Sequence, residues 1–108
     1  TRALKFVPET HPIFIEFLRS EAWFRLLRGD KAGSERVRRE VLARVEASAI
    51  PIDIAVARAE LAQDLIGSGG KAEARTLLAH ALPVLREHFL PQHVNRAKFE
   101  AMARTLGV

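Results

Sequence analysis

The chain has 108 residues, 48% of them hydrophobic, a formal net charge of +4 and no cysteine. That length suits one domain, the apolar content excludes a disordered chain, and the absent thiols exclude a disulfide framework or thiolate chemistry. No apolar run approaches the roughly 18–20 residues of a membrane span, whereas the positive balance permits an acidic partner, nucleic acid included.

The opening Thr1-Arg2-Ala3-Leu4-Lys5-Phe6 lacks the long apolar centre of a signal peptide. Residues 1–7 read as the last turn of a preceding helix, and the chain as a cytoplasmic domain of a longer protein. Pro8-Glu9-Thr10-His11-Pro12 breaks any helix, with Thr10 as an N-cap candidate for the next one. The first full helix is expected over 13–28. Its apolar residues cover most of its circumference, which predicts packing on two sides. Trp23 and Phe24 are adjacent and point about 100° apart. Trp23 is expected in the core and Phe24 is the candidate partner-binding aromatic.

Gly29 to Gly33 forms a turn, and Ser34 or Asp30 caps a second helix over 34–48. This helix carries a thin apolar stripe of Val37, Val41 and Val45 with Leu42 beside it; the rest is charged. Glu35 with Arg39 and Glu40 with Arg44 have the favourable spacing for ion pairs within a helix. Pro51 marks the second break, and Asp53 is the N-cap candidate for a helix over 54–66. Gly67-Ser68-Gly69-Gly70 turns the chain into a fourth helix over 71–89, which Pro83 should kink. Small residues fall where these two helices would cross: Ala59 and Ala62 on one, Ala74 and Ala81 on the other. Pro91 makes the third break, and a fifth helix is expected over 95–106, stopped by Gly107.

The breaks and glycine turns recur about every 40 residues, a spacing typical of helical repeats. Each period holds one apolar-rich helix, one glycine turn and one more charged helix. The residues Leu61-Ala62, Leu65, Gly69, Ala74, Leu78 and Ala81 alternate large, small and glycine positions. In this they resemble the tetratricopeptide repeat family, in its longer-period form found in kinesin light chains and bacterial arrays. His11-Pro12 is similar to the His-Pro that opens many such repeats. The first copy departs from the pattern, because charged residues crowd its second helix. The resemblance implies an all-α fold of about five helices in a right-handed solenoid of helical hairpins. A first repeat would span 6–50, a second 51–90 and a closing helix 91–108. It further implies a non-catalytic scaffold, part of a bacterial regulatory or signalling protein, that binds a peptide or partner helix in a groove lined by the first helix of each pair. Arg25, Arg58, Gln63, Asn95 and Lys98 are the candidate polar contacts there. Two repeats are few for such an array, so flanking repeats or a second copy are expected to cover its open surface.

An alternative places nucleic acid on the basic group Arg36, Arg38, Arg39 and Arg44, partly neutralised by Glu35, Glu40 and Glu46. No catalytic set, cofactor motif or metal-ligand spacing stands out. His80 and His88 lie on one helix with Pro83 between them and no further ligand to complete a site. Gly67 to Lys71 follows a helix rather than a strand and reads as a turn, not a phosphate loop. Asp53, Glu60, Asp64 and Glu73 read as solvated ion-pair partners of neighbouring basic residues.

Overall fold

The computed structural model of the protein describes residues 12–108. The expectations for residues 1–7, Thr10 and His11 lie outside that span. Five helices follow one another: α1 (Pro12–Leu27), α2 (Lys31–Ser48), α3 (Pro51–Gly67), α4 (Lys71–His88) and α5 (Val94–Leu106). No strand occurs among the described residues. Each helix packs on the next, α1 on α2, α2 on α3, α3 on α4 and α4 on α5. Short connections between packed neighbours make them run antiparallel.

The glycine turns repeat in detail. Gly29 and Gly69 both take a positive φ, 83° and 87°, which a side chain would oppose. The next residue closes each turn with the same bond: Asp30 N–H donates to the Arg25 carbonyl and Gly70 N–H to the Leu65 carbonyl, each at 2.8 Å. The helices after them begin at Lys31 and Lys71, forty residues apart, and both have 18 residues. Their buried positions also match. Ser34, Arg38, Val41 and Val45 in α2 correspond to Ala74, Leu78, Ala81 and Leu85 in α4.

Helix starts differ modestly from the expected ones, for local reasons. The Asp30 side chain accepts from Gly33 N–H at 2.9 Å, so α2 starts three residues before Ser34. Asp53 is not the N-cap of α3; Pro51 pre-sets φ at the first position, and Asp53 sits within the first turn, where it complements the helix dipole. His93 caps α5, its ring nitrogen Nδ1 accepting from Asn95 N–H at 3.1 Å. Pro83 lies inside an unbroken α4.

The larger core joins α3, α4 and α5 around Leu61, Leu65, Leu78, Leu85, Phe99 and Leu106. Ala59, Ala62, Ala74 and Ala81 are all fully buried, so small side chains bring α3 and α4 close together. Burying Phe99 or Leu78 contributes about 1.5–3 kcal/mol each. A smaller core joins α1, α2 and α3 around Leu18, Val41, Val45 and Ala57. Trp23 is not part of either. It is 49% exposed and Phe24 60% exposed, because Leu18 and Ala22 take the inward positions of α1. Among the described residues α1 packs mainly on α2.

Candidate functional site

The smaller core contains charge. In phase with Ser34, Val41 and Val45, Arg38 turns its guanidinium inward between α2 and α3. Facing it on α3 are Glu60 and Asp64, one helical turn apart. Asp64 is buried and accepts a hydrogen bond from the Ser34 hydroxyl. Arg38 Nε lies 3.6 Å from Asp64, and Arg38 Nη1 lies 3.5 Å from Glu60. Glu60 is in turn gripped from α1: Arg19 Nε and Nη2 donate to its two oxygens at 2.9 and 2.7 Å. That bidentate bond, with a lesser share from Glu16, holds the Arg19 guanidinium well above its ordinary pKa. Glu60 and Asp64 are therefore not the solvated surface partners the sequence suggests; they join three helices. Arg38 Nε has no hydrogen-bond partner.

Above this network a cleft of about 580 Å³ opens between α1 and α3. Arg38 and the Arg19–Glu60 pair lie at its base, with Glu16, Ser20, Trp23 and Phe24 along α1, Gln63 on α3 and Lys98 from α5. The Lys98 ammonium sits 4.8 Å from the centre of the Phe99 ring, which fixes its stem while its charge stays in solvent. The cleft thus combines two half-exposed aromatic faces, an amide and a cation.

Of the five groove residues expected from the sequence, Gln63 and Lys98 meet in this cleft. Arg25 lies at the first turn, paired with Asp30 at 3.1 Å and Glu21 at 3.3 Å. Arg58 faces Glu46 of α2 at 3.6 Å. Asn95 sits in the first turn of α5, outside the cleft. Sequence reasoning misses Trp23, Ser20 and Arg19 as lining residues. Their signal is present, since positions 16, 19, 20 and 23 form one face of a helix. Assigning Trp23 to the core hides it.

The basic group divides. Arg38 is buried. Arg39 donates twice to Glu73 of α4, at 2.9 and 2.8 Å, and once to Glu35 at 3.1 Å. Arg44 pairs with Glu40 at 2.8 Å and lies over the Phe14 ring at 4.7 Å. Arg36 is exposed and makes no ion pair among the described residues. The Glu35–Arg39 and Glu40–Arg44 pairs form as their spacing suggests.

His80 and His88 are exposed, and among the described residues no three His, Cys, Asp or Glu side chains are grouped to hold a metal. The second glycine turn is tied to the first hairpin by Lys31, whose ammonium donates to the Gly67 carbonyl at 3.1 Å. No described helix is long and apolar enough to cross a membrane. Compared with known proteins, the chain matches no family model, no curated protein and no solved structure.

Proposed function

We propose that the chain is a non-catalytic protein-interaction module, a right-handed stack of tetratricopeptide-like hairpins within a regulatory or signalling protein. Its partner is an extended peptide or amphipathic helix received between α1 and α3. The observation that carries this reading is the meeting of exposed Trp23 and Phe24 with Gln63 and Lys98 in one cleft. Half-exposed aromatics beside a few polar groups are the usual anchors of a binding surface. An apolar partner side chain would seat between Trp23 and Phe24, Gln63 would bond the partner backbone, and Lys98 would favour a neighbouring acidic residue. The recurrence of turn geometry and buried register forty residues apart supports a repeat architecture.

The alternative role, nucleic-acid binding through Arg36, Arg38, Arg39 and Arg44, draws little support from these positions. Glutamates engage Arg39 and Arg44, and Arg38 is buried.

Selection of a displayed random-peptide library on the purified chain tests the proposal. The expected winners carry an apolar residue beside an acidic one and lose binding to both Trp23→Ala and Lys98→Glu. Failure to enrich any sequence, or enriched peptides indifferent to both substitutions, would overturn it.

A further inference from the structure

Arg38 is paired in charge but not in hydrogen bonds. Its side chain is only 8% exposed, and its Nε has no hydrogen-bond partner. The two carboxylates that face it stand at 3.5 and 3.6 Å, and neither makes a hydrogen bond to it. Both are engaged elsewhere: Asp64 Oδ2 takes the Ser34 hydroxyl, and the two oxygens of Glu60 take Arg19. A guanidinium offers five N–H donors, and those of Arg38 bond to nothing among the described residues. Buried donors are nearly always satisfied, so this set calls for an acceptor from outside the chain. The way in is open, because Arg38 lines the cleft between α1 and α3.

We infer that Arg38 is the specificity-determining contact at the cleft floor, and that it receives the side-chain carboxamide of a glutamine or asparagine in the bound peptide. The inference rests on the peptide-binding reading of the cleft. The incoming group must be an acceptor, because a guanidinium only donates. It must also be uncharged. Arg19, Arg38 and Lys98 already face Glu16, Glu60 and Asp64, so cations and carboxylates balance around the floor. An arriving carboxylate finds no spare cation there and meets Glu16 and Glu60 instead. It must come on a side chain, because Arg38 is recessed below the walls that carry Trp23, Phe24 and Gln63. A carboxamide meets all three conditions. Its carbonyl oxygen accepts from Arg38, and its N–H groups suit Glu60, whose side chain is 14% exposed beside it. A hydrogen bond to a charged donor is among the stronger kinds, and folding has already stripped this donor of most of its water.

Calorimetric titration of a peptide selected from a displayed random library on the wild-type chain, and of its substituted forms, tests the contact. The selected peptides are expected to share one glutamine or asparagine near their apolar residue. Exchanging it for methionine, of similar length but apolar, or for glutamate should weaken binding about tenfold or more. The triple variant Ser34→Ala, Arg38→Leu and Asp64→Ala, with its helices checked by circular dichroism, should lose that preference and bind the methionine peptide at least as well as the glutamine one. Failure to enrich any peptide would remove the cleft as a peptide site and the floor contact with it. Peptides that need Trp23 but carry no carboxamide, or tolerate its exchange, would overturn the floor contact alone. A glutamine preference that survives in the triple variant would do the same. The exchanges within the peptide need only the wild-type protein, so they decide the point even if the triple variant does not fold.

Discussion

Arg38 of α2 occupies the register position that Leu78 occupies in α4. Both are buried, and each stands at the same distance from the lysine, Lys31 or Lys71, that opens its 18-residue helix. One hairpin fills that place with hydrocarbon and the other with a guanidinium. The substitution is tolerated because α3 supplies Glu60 and Asp64 opposite Arg38, while Ser34, the counterpart of Ala74, donates to Asp64. Charge inside a small core costs desolvation that the pairing only partly returns.

Removing one member of this network should therefore harm the fold more than replacing it by a matched apolar set. Arg38→Ala leaves Asp64 with Ser34 alone and is expected to cost about 3 kcal/mol in urea unfolding. The triple change Ser34→Ala and Arg38→Leu, which copy Ala74 and Leu78, together with Asp64→Ala, which removes the carboxylate left unpaired, should restore most of that loss. A triple variant less stable than Arg38→Ala would show that the charges stabilise the fold beyond what hydrocarbon can replace.

At the junction of α2 and α3, Ala49 takes a left-handed conformation, φ 58° and ψ 29°, and its N–H closes α2 on the Val45 and Glu46 carbonyls. A residue with a Cβ is strained there, and glycine is the usual occupant. Ala49→Gly is expected to raise stability by about 0.5–1 kcal/mol, read as a higher urea midpoint with an unchanged slope. A lower midpoint would contradict that.

Asp30 joins the two halves of the first hairpin, capping α2 through Gly33 N–H and pairing with Arg25. Asp30→Ala should lose the stability that the cap provides, read as a lower urea midpoint. Asp30→Asn keeps an acceptor for Gly33 and should recover most of it, since the Arg25 pair is at the surface and worth little. Equal losses in the two variants would place the effect in the charge and not the cap.

Acid should loosen the fold through three carboxylates held below their ordinary pKa. Gly33 N–H and then Arg25 lower Asp30, Arg39 lowers Glu73, and Arg86 with a smaller share from Arg96 lowers Glu100. The unfolded chain then binds protons that the folded chain refuses. The stabilisation is complete above the ordinary carboxylate range and is lost as pH falls through the depressed folded values. Stability should be level near neutrality and fall on acidification below about pH 4. Glu100→Gln should flatten that fall slightly, because the pair is at the surface and screened by solvent. Stability that rises on acidification would contradict the assignment.

The helices are legible in the sequence because prolines and glycines punctuate them. Pro51 and the glycine turns place the breaks, and apolar spacing fills the stretches between. The small-residue crossing of Ala59 and Ala62 with Ala74 and Ala81 is legible too, since four alanines in phase have little purpose but close packing. Trp23 misleads because a large aromatic on a largely apolar helix is usually core; which of several apolar flanks is covered depends on neighbours that a single helix does not name. The Arg38, Glu60 and Asp64 set misleads for the opposite reason. Each residue alone suits a solvated helix face, and only the approach of α2 to α3 reveals that their sides coincide. The expected groove residues divide on the same ground: Gln63 and Lys98 lie on the faces that meet, whereas Arg25, Arg58 and Asn95 lie on their neighbours.

The most direct test of the cleft is an amide shift map of the isotope-labelled chain titrated with a library-selected peptide. The expected result is saturable shifts at Ser20, Trp23, Phe24, Gln63 and Lys98, together with the indole N–H of Trp23, the only tryptophan. Shifts confined to Arg36, Arg39 and the outer faces of α2 and α4, with the Trp23 indole unmoved, would contradict it.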